Sequence, residues 1–236
     1  MNTIKLLAIY IFNIIDKFIH QKRILNNIKK NIKSINTYID VGAHKGTYTD
    51  LILNNFEVKK VFMFEPQKNI YKYIKKKYLK NRKIKIYMNA ASDQTKKKKI
   101  YINKHDITSS LTKLNEKNLY LYFKSKLFGA NTSQMVKDTY YIKTIKLADF
   151  IKKNKLKKID LLKIDTEGHE QEVLKGMGKK IGITKMILIE IHNDDIYLKY
   201  SSDKIHNHLI KNQFYLKKII KFPFTTWEDR IYINKN

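Results

Sequence analysis

The sequence predicts an α/β fold, a mostly parallel β-sheet with helices on both faces. Short apolar segments typical of buried strands alternate along the chain with segments of helical spacing, and this alternation favours a parallel sheet. Acidic residues stand where four predicted strands end, namely Asp40, Glu65, Asp165 and Glu190. Open α/β sheets hold their ligands beyond the carboxyl ends of the strands. The pattern therefore also predicts a ligand site at that edge.

Composition narrows the class of protein. The chain has 236 residues, enough for one large α/β domain, and hydrophobic residues make up 43%, enough for a substantial core. It contains no cysteine, which excludes disulfides, thiolate metal sites and a cysteine nucleophile. This composition agrees with a cytoplasmic location.

A formal net charge of +28 is typical of proteins that bind nucleic acid or an anionic membrane surface. Arginine occupies only Arg23, Arg82 and Arg230 among the 49 basic positions, which leaves 49 − 3 = 46 lysines. Lysine, asparagine, isoleucine and tyrosine all have A/T-rich codons, so biased coding explains much of the charge. A surface that binds phosphate is expected to use more arginine. Nucleic acid is therefore not the predicted partner.

Residues 4–19 form a strongly apolar stretch near the start of the chain. It is shorter than the roughly 20 residues that span a bilayer, and it lacks a signal-peptide cleavage site. We predict a helix docked on the domain, as part of an N-terminal helical extension (1–33) that precedes a domain at 34–236. The alternative is an amphipathic membrane anchor within residues 4–33. Its lipid-contacting side chains would be Lys17, Lys22, Arg23, Lys29, Lys30 and Lys33.

The stretch YIDVGAHKGTYTD at 38–50 carries the first predicted part of the site. A strand at 35–41 and a helix at 47–53 flank a turn with Gly42 and Gly46, where glycine allows positive φ and close approach of a ligand. The N–H groups at the helix start favour an anionic or carbonyl-rich group. These features predict a nucleotide-type pocket that Asp40 faces. The alternative is a structural turn capped by Asp40.

A second strand at 61–64 ends on Glu65 and Pro66. Glu65 follows Asp40 by 25 positions, the length of one strand–helix–strand unit. In nucleotide-binding folds an acidic residue at this place hydrogen-bonds the ribose hydroxyls. We predict that role for Glu65. The alternative is a solvated strand end or the cap of a helix at 69–79.

The middle of the chain is predicted to leave the sheet and return to it. A strand at 84–88 leads into the small polar residues 89–93, which suit a ligand wall, and the lysines at 96–99 are predicted as the turn of a hairpin continued by 100–102. Residues 103–138 show no clear period and are predicted as an insertion that could cover a substrate. A strand at 139–145 and a helix at 147–153 follow.

The third predicted part of the site follows a strand at 159–164, in the motif KIDTEGHE at 163–170. So many ionisable groups at the end of a buried strand are costly unless they serve a site. A helix containing Val173, Leu174 and Met177, a strand at 184–191 and a helix at 203–212 come next. Strands at 214–220 and 229–233 are predicted to close the sheet.

Several of these motifs together resemble the FkbM family of S-adenosylmethionine-dependent methyltransferases. The matching segments are DVGAHKGTYT at 40–49, FEP at 64–66, SSL at 109–111, IKLADF at 145–150, KIDTEGHE at 163–170 and IEIH at 189–192. The resemblance covers roughly residues 35–235. It implies a Rossmann-like, seven-stranded methyltransferase sheet whose last strand is antiparallel, and methylation of a hydroxyl.

The resemblance also implies which residues hold S-adenosylmethionine and the substrate. The methionine part of the cofactor would contact Asp40, Gly42, Ala43, His44, Gly46 and Thr47. The ribose would meet Glu65 and Pro66, the adenine Ala91, Ser92 and Asp93, and the sulfonium Asp165 and Glu167. The substrate-binding residues would be Ser109, Ser110 and His192.

Methyl transfer to oxygen needs a group that takes the hydroxyl proton. The predicted catalytic residues are Asp165, His169 and Glu190. His169, Glu190 and His192 are the available bases, although Glu190 could instead orient the acceptor and His169 could be a surface histidine at a helix start. A further alternative is a divalent metal held by Asp165, Glu167 and Glu190. The spacing does not require one, and no metal is predicted.

The predicted function is S-adenosylmethionine-dependent O-methylation of a sugar, glycan or similar polyhydroxylated small molecule. The choice of a sugar follows from the family resemblance alone. The alternative is a basic RNA- or membrane-binding module on the same fold, against which the KIDTEGHE carboxylates argue. An NAD-dependent enzyme is a third reading, weakened by the absence of G-x-G-x-x-G.

Overall fold

The computed structural model describes residues 15–103, 108–118, 121, 136–223 and 225–236. The first half of the described chain alternates helices with parallel strands. In chain order its elements are a helical turn at Asp16–His20, α1 (Gln21–Asn31), β1 (Ile35–Val41), α2 (Thr47–Leu53), β2 (Val58–Phe64), α3 (Lys68–Lys77) and β3 (Ile84–Tyr87).

The second half contains a small additional sheet and then resumes the alternation. Its elements are β4 (Ala90–Ala91), β5 (Lys97–Asn103), β6 (Val136–Ile145), α4 (Leu147–Lys153), β7 (Ile159–Ile164), α5 (Glu170–Met177), a helical turn at Gly178–Ile183, β8 (Thr184–His192), α6 (Ser202–Lys211), β9 (Phe214–Lys221) and β10 (Trp227–Asn234).

The predicted seven-stranded sheet is confirmed, with the strand order β3-β2-β1-β7-β8-β10-β9. β1 pairs in parallel with β2 on one side and with β7 on the other, and β7 pairs in parallel with β8. The last strand of the chain, β10, is antiparallel to both of its neighbours, as predicted. The strand order changes direction between β1 and β7. Such a switch point opens a crevice at the carboxyl ends of the two strands.

Helices cover both faces of this sheet, which confirms the predicted layers. Successive side chains of a strand point to opposite faces, so Tyr38 and Ile39 of β1 belong to two different hydrophobic clusters. The cluster around Tyr38 includes buried side chains of α1, α2 and α3. The cluster around Ile39 includes buried side chains of α4, α5 and α6. Nearly continuous burial along β1 and β7 follows from this two-sided packing.

The lysines at 96–99 correct one prediction. Lys97, Lys98 and Lys99 are not a turn but the first residues of β5, which pairs antiparallel with β6 in a second sheet of order β4-β6-β5. The partner strand begins at Val136, near the end of the predicted insertion at 103–138, so the pairing could not be seen in the local pattern. The Lys98 ammonium also has partners of its own, since it donates to Ser92 Oγ at 2.8 Å and to Asp93 Oδ1 at 3.0 Å.

The start of the chain is described from residue 15, so most of the helix predicted at 4–19 lies outside the described residues. Helix α1 packs on the sheet through Ile24, Leu25 and Ile28, which are buried. The proposed membrane contact of residues 4–33 and the division at residue 33 stay predictions. Among the described residues, no helix is long and apolar enough to span a membrane.

The predicted insertion is described at 108–118 and at 121, and its remaining residues, 104–107, 119–120 and 122–135, lie outside the described part of the chain. Residues 108–118 run beside the segment that follows β8. Asn115 N donates to Ile196 O at 2.8 Å, and Leu198 N donates to Lys113 O at 3.0 Å. This part of the insertion therefore lies next to the carboxyl ends of β7 and β8.

Candidate active site

The glycine turn after β1 is pressed against the end of β7. Gly42 has φ +77°, and a β-carbon there would stand 1.7 Å from the carbonyl oxygen of Asp165. Asp165 N donates to Val41 O at 3.0 Å, which continues the pairing of the two strands into the turn. Only glycine satisfies both the positive φ and this close approach. The first and third predicted parts of the site are thus in direct backbone contact.

Glu65 ties the same turn to the end of β2. It is 2% exposed, and its carboxylate accepts hydrogen bonds from His44 N and from Gln67 N, each at 2.8 Å and each on a different oxygen. Burial raises the pKa of Glu65 to about 7, although the two backbone hydrogen bonds oppose that shift. Each carboxylate oxygen has a second lone pair that could accept a ribose hydroxyl. The ribose role of Glu65 stays a prediction.

A buried lysine, Lys163, joins two of the predicted carboxylates. Its Nζ lies 2.9 Å from Asp165 Oδ2 and 3.8 Å from Asp40 Oδ1, and 4.6 Å from the ring centroid of Tyr48. Burial alone would lower the pKa of Lys163, but the charges of Asp165 and Asp40 raise it above its ordinary value. Lys163 is therefore an ammonium group. Lys163 was not among the predicted site residues, although a lysine inside an apolar strand is a rare feature that could have indicated it.

Asp40 lies at the centre of the site and is fully buried. Its Oδ2 accepts a hydrogen bond from Thr49 Oγ1 at 2.7 Å. Its Oδ1 accepts no hydrogen bond from the described residues, although the Lys163 ammonium is near. Burial raises the pKa of Asp40, and the charge of Lys163 opposes that shift. The hydrogen-bonding capacity of this buried oxygen is thus not used by the described residues.

Two carboxylates and an imidazole meet beyond the ends of β7 and β8. His192 Nε2 lies 3.3 Å from Glu190 Oε1 and 3.8 Å from Glu167 Oε2. We call Glu167, Glu190 and His192 the acidic trio. Burial raises the pKa of Glu167 to about 8, with a further contribution from the charge of Glu190. Burial, followed by the charges of Asp165 and Asp229, also raises the pKa of Glu190.

The turn that carries Glu167 is held from two sides. Glu167 and Gly168 have φ of 56° and 88°, and a β-carbon on Gly168 would stand 2.3 Å from Tyr197 Cγ. The hydroxyl of Tyr197 donates to Glu167 Oε2. Oε1 of buried Glu170 accepts from Thr166 N at 2.8 Å and from Gly168 N at 3.2 Å. Tyr197 and Glu170 therefore fix where the Glu167 carboxylate points.

His169 lies in a different part of the site from Glu190. It is buried, and its Nε2 lies 2.9 Å from Ser92 Oγ, which also donates to Asp93 Oδ1 at 2.9 Å. Burial, followed by the charge of Lys98, lowers the pKa of His169 to about 3, so the imidazole is neutral near pH 7. The structure thus brings His169 together with residues predicted at the adenine. It does not bring His169 to the acidic trio.

The remaining predicted residues divide between the two ends of the site. Ser110 Oγ donates to Thr166 O at 3.3 Å, and Thr112 Oγ1 donates to Gly168 O at 2.8 Å, so this segment packs on the KIDTEGHE turn. Ser109 Oγ instead accepts from Asn103 N at 3.1 Å. Ala43 and Ala91 are buried. Pro66 is half-buried, and Thr47 is exposed at the first position of α2.

A buried histidine–aspartate pair borders the acidic trio, and the sequence analysis did not predict it. His20 Nε2 lies 2.7 Å from Asp229 Oδ2, and both side chains are buried. Asp229 is the direct partner of Glu190 in the β8–β10 pairing, and Tyr48 Oη donates to Asp229 at 3.4 Å. His20 and Asp229 are 209 positions apart in the sequence, so no local pattern could have indicated the pair.

Comparisons with known proteins bear on the family and the fold of this chain. The FkbM methyltransferase domain matches residues 40–216 of the chain. The crystal structure of methyltransferase FkbM from Methylobacillus flagellatus KT is similar with a TM-score of 0.55 and 15% identity, over 85% of this chain and 44% of that one. At that identity the likeness shows the fold.

A curated relative matches over a shorter stretch. Hexuronic acid methyltransferase AglP from Haloferax volcanii is 39% identical over 51 residues, which cover 22% of this chain and 21% of AglP. The chain therefore spans less than half of the Methylobacillus protein, and about a fifth of AglP is matched. Because the family domain extends over most of the chain, and the fold agrees with it, the protein belongs to the FkbM methyltransferase family.

Proposed function

We propose that this protein transfers a methyl group from S-adenosylmethionine to a hydroxyl of a sugar, glycan or similar polyhydroxylated molecule. One observation carries the proposal: Asp40 and Asp165, at the ends of adjacent strands β1 and β7, share the single buried ammonium of Lys163. The pair has a net negative charge beside the switch point, where open α/β sheets bind their ligands. A cationic sulfonium donor suits that charge.

The residues present fit the cofactor at each of its parts. Asp40 Oδ1, buried without a hydrogen-bond donor among the described residues, can accept from the ammonium of the methionine part. Glu65 has lone pairs left for two ribose hydroxyls after it has accepted from the glycine turn. Ala91 and Ser92, in and after β4, would flank the adenine, and His169 would hold Ser92 in place.

The acceptor hydroxyl is proposed to lie between Asp165 and Glu190. S-adenosylmethionine, when bound, supplies an electrophilic methyl group on a sulfonium. This methyl group would pass to the hydroxyl oxygen, and the electron pair of the carbon–sulfur bond that breaks would remain on sulfur. Glu190, which has no side-chain partner but His192 among the described residues, accepts the hydroxyl proton. Most of the rate is expected to come from positioning, because the reaction is a displacement between two bound groups.

The proposed class of acceptor is a sugar, glycan or similar polyhydroxylated molecule. It is supported by the family and by the local similarity to a hexuronic acid methyltransferase. Ser109 and Ser110 of the insertion, together with His192, are the proposed contacts for the hydroxyls of the acceptor. Their positions beside the KIDTEGHE turn agree with that role for Ser110 and His192.

Titration calorimetry with S-adenosylmethionine tests the cofactor assignment. We expect saturable binding to the folded protein and at least roughly tenfold weaker binding to Glu65→Ala and Asp40→Asn, because each loses hydrogen bonds to a charged group. Glu57→Gln is the matched control, since Glu57 is exposed and precedes β2 at the opposite edge of the sheet. Absence of binding to the folded protein would contradict the proposal.

A parallel titration tests the alternative that the basic surface binds RNA or anionic lipid. That alternative predicts affinity that falls steeply with salt and does not change in Asp165→Asn. The proposed enzyme instead requires Asp165 for methyl transfer. Tight RNA or vesicle binding that is retained in Asp165→Asn, together with no methyl transfer by the wild type, would favour the alternative.

A further inference from the structure

We propose that the acidic trio, Glu167, Glu190 and His192, is a binding site for one divalent cation of the first transition row. Each residue offers one ligand atom, and the three atoms lie within 4.8 Å of one another. A role for the cation in catalysis rests on the proposed function. The binding of the cation rests only on the geometry of these three side chains. The prediction that no metal is involved is replaced by this proposal.

The spacing of the donor atoms fits a shared ion. Metal–ligand bonds to oxygen and imidazole nitrogen are about 2.0–2.2 Å long, so neighbouring ligands of one ion lie roughly 3.0–3.5 Å apart. His192 Nε2 is 3.3 Å from Glu190 Oε1 and 3.8 Å from Glu167 Oε2. The first distance is already in this range, and a small side-chain rotation would bring the second into it. Asp165, which the sequence analysis placed in a metal set, is not part of this group.

The imidazole of His192 gives the second reason for a cation. His192 is 6% exposed, and its Nε2 has no hydrogen-bond partner among the described residues, although it points at the two carboxylates. A buried nitrogen without a partner is costly. The lone pair of a neutral imidazole is the usual protein ligand for transition metals. A bound ion would satisfy Nε2 and both carboxylates together.

Rigid elements hold the three ligands. Glu190 and His192 are two positions apart on β8, so they project from the same face of the strand. The Tyr197 hydroxyl donates to Glu167 Oε2, and the main-chain N–H of His192 donates to the hydroxyl of Tyr200 at 3.1 Å. A hydrogen bond to a ligating carboxylate, such as the one from Tyr197 to Glu167, is typical of metal sites, and the bond from the His192 main chain fixes the end of β8.

The local charge also favours a cation. Glu190 stands directly across from Asp229 in the β8–β10 pairing, and Asp165 follows β7 on the neighbouring strand. Lys163, the buried cation nearby, is already shared by Asp40 and Asp165. Among the described residues, the only basic side chain within 4.0 Å of Glu167 or Glu190 is the imidazole of His192, which carries a charge only if protonated and makes no hydrogen bond to either.

Two carboxylates and one imidazole form a mixed donor set. Carboxylates suit Mg²⁺ and Mn²⁺, and imidazole suits the transition metals, so Mn²⁺ is the probe that matches both. Three protein ligands leave coordination positions open for water or substrate. In the proposed reaction the acceptor oxygen would take one of these positions, and Glu190, which offers the cation one oxygen, would keep the other for the hydroxyl proton. The cation would then stabilise the negative charge that develops on that oxygen.

Direct binding of Mn²⁺ to the EDTA-treated full chain tests the site. Electron paramagnetic resonance of free Mn²⁺ should show one saturable site per chain. Glu190→Gln and His192→Gln should each weaken binding at least tenfold, and Glu57→Gln, far from the trio, should bind as the wild type does. The echo-modulation signal from a coordinated imidazole nitrogen should be present in the wild type and lost in His192→Gln.

Titration of the same samples with S-adenosylmethionine separates this proposal from the proposed function. Cofactor binding by folded wild-type protein without saturable Mn²⁺, Zn²⁺ or Mg²⁺ binding would overturn the cation site and leave the methyltransferase proposal standing. Cation binding that His192→Gln and Glu190→Gln leave unchanged would also overturn it. Cation binding sensitive to both substitutions would support the site even if S-adenosylmethionine did not bind.

Discussion

The carbonyl oxygen of Asp165 occupies the space beside Gly42 that any side chain would need: a β-carbon on Gly42 would lie 1.7 Å from it. This contact joins the glycine turn after β1 to the KIDTEGHE motif after β7. It fixes the separation of the two strand ends between which the proposed cofactor site lies.

Gly42→Ala should be strongly destabilising. The substitution combines a positive φ with a backbone clash, and neither can be relieved without separating β1 from β7. We expect a loss of more than about 3 kcal/mol in the free energy of unfolding, measured by urea denaturation. Gly182→Ala is the control, because a β-carbon on Gly182 meets no atom within 4 Å. Equal effects of the two substitutions would contradict the contact.

Lys163→Met should destabilise the protein because Asp40 and Asp165 lose the ammonium group that they share. Removal of the ammonium leaves buried Asp40 with no nearby opposite charge, and breaking a buried ion pair in this way costs about 3–5 kcal/mol. Lys158→Met is the matched control, because Lys158 is 61% exposed and pairs with Asp160 at 3.3 Å. That substitution should cost less than about 1 kcal/mol. Denaturant unfolding of both variants at neutral pH measures the difference.

The free energy of unfolding should depend on pH because Glu65 titrates at a different pH in the folded and the unfolded protein. The folded-state pKa of Glu65 is raised from 4.5 to about 7, so between these values the folded protein binds more protons than the unfolded chain. The contribution of Glu65 to the free energy of unfolding therefore falls as the pH rises from 4.5 to 7, by about 3 kcal/mol. Urea denaturation across this range should show the slope in the wild type.

Glu65→Gln removes the titrating group and keeps its size. The free energy of unfolding of the wild type, relative to that of the variant, should decrease as the pH rises from 4.5 to 7. A difference that stays constant from pH 4.5 to pH 7 would show that the carboxyl group of Glu65 is not perturbed by burial.

His169→Gln should affect cofactor binding more than the chemical step. His169 contacts Ser92 at 2.9 Å and lies with the residues predicted at the adenine, so its loss should raise KM for S-adenosylmethionine with kcat largely retained. Glu190→Gln should lower kcat with little change in KM for the cofactor. Steady-state kinetics of both variants with the same acceptor compare the two roles. A larger loss of kcat in His169→Gln would restore His169 as the base.

Local patterns in the sequence were sufficient for much of the sheet. β1, α2 and β7 have the predicted bounds, because each is a short apolar or periodic segment between clear turn residues. The antiparallel last strand followed from the family resemblance, and the order of the strands confirms it. The lysines of β5 were misassigned as a turn, because a strand partner more than 30 residues away leaves no local signal.

The site was predicted less completely than the fold, for a physical reason. The end of each strand marked Asp40, Glu65, Asp165 and Glu190, since strand ends meet at one edge of a parallel sheet. Lys163, whose charge holds two of them together, and His20, which pairs with Asp229, depend on three-dimensional contacts. The separation of His169 from the acidic trio also depends on three-dimensional contacts, because a residue one position past a turn can face either end of the site.

The most direct test of the central claim is a crystal structure of the protein with S-adenosylhomocysteine. We predict that the ribose hydroxyls lie within hydrogen-bond distance of Glu65, and that the sulfur stands beside Asp165 on the side that faces Glu190. A ligand bound elsewhere, or a cleft between β1 and β7 that stays empty at saturating ligand, would contradict the account.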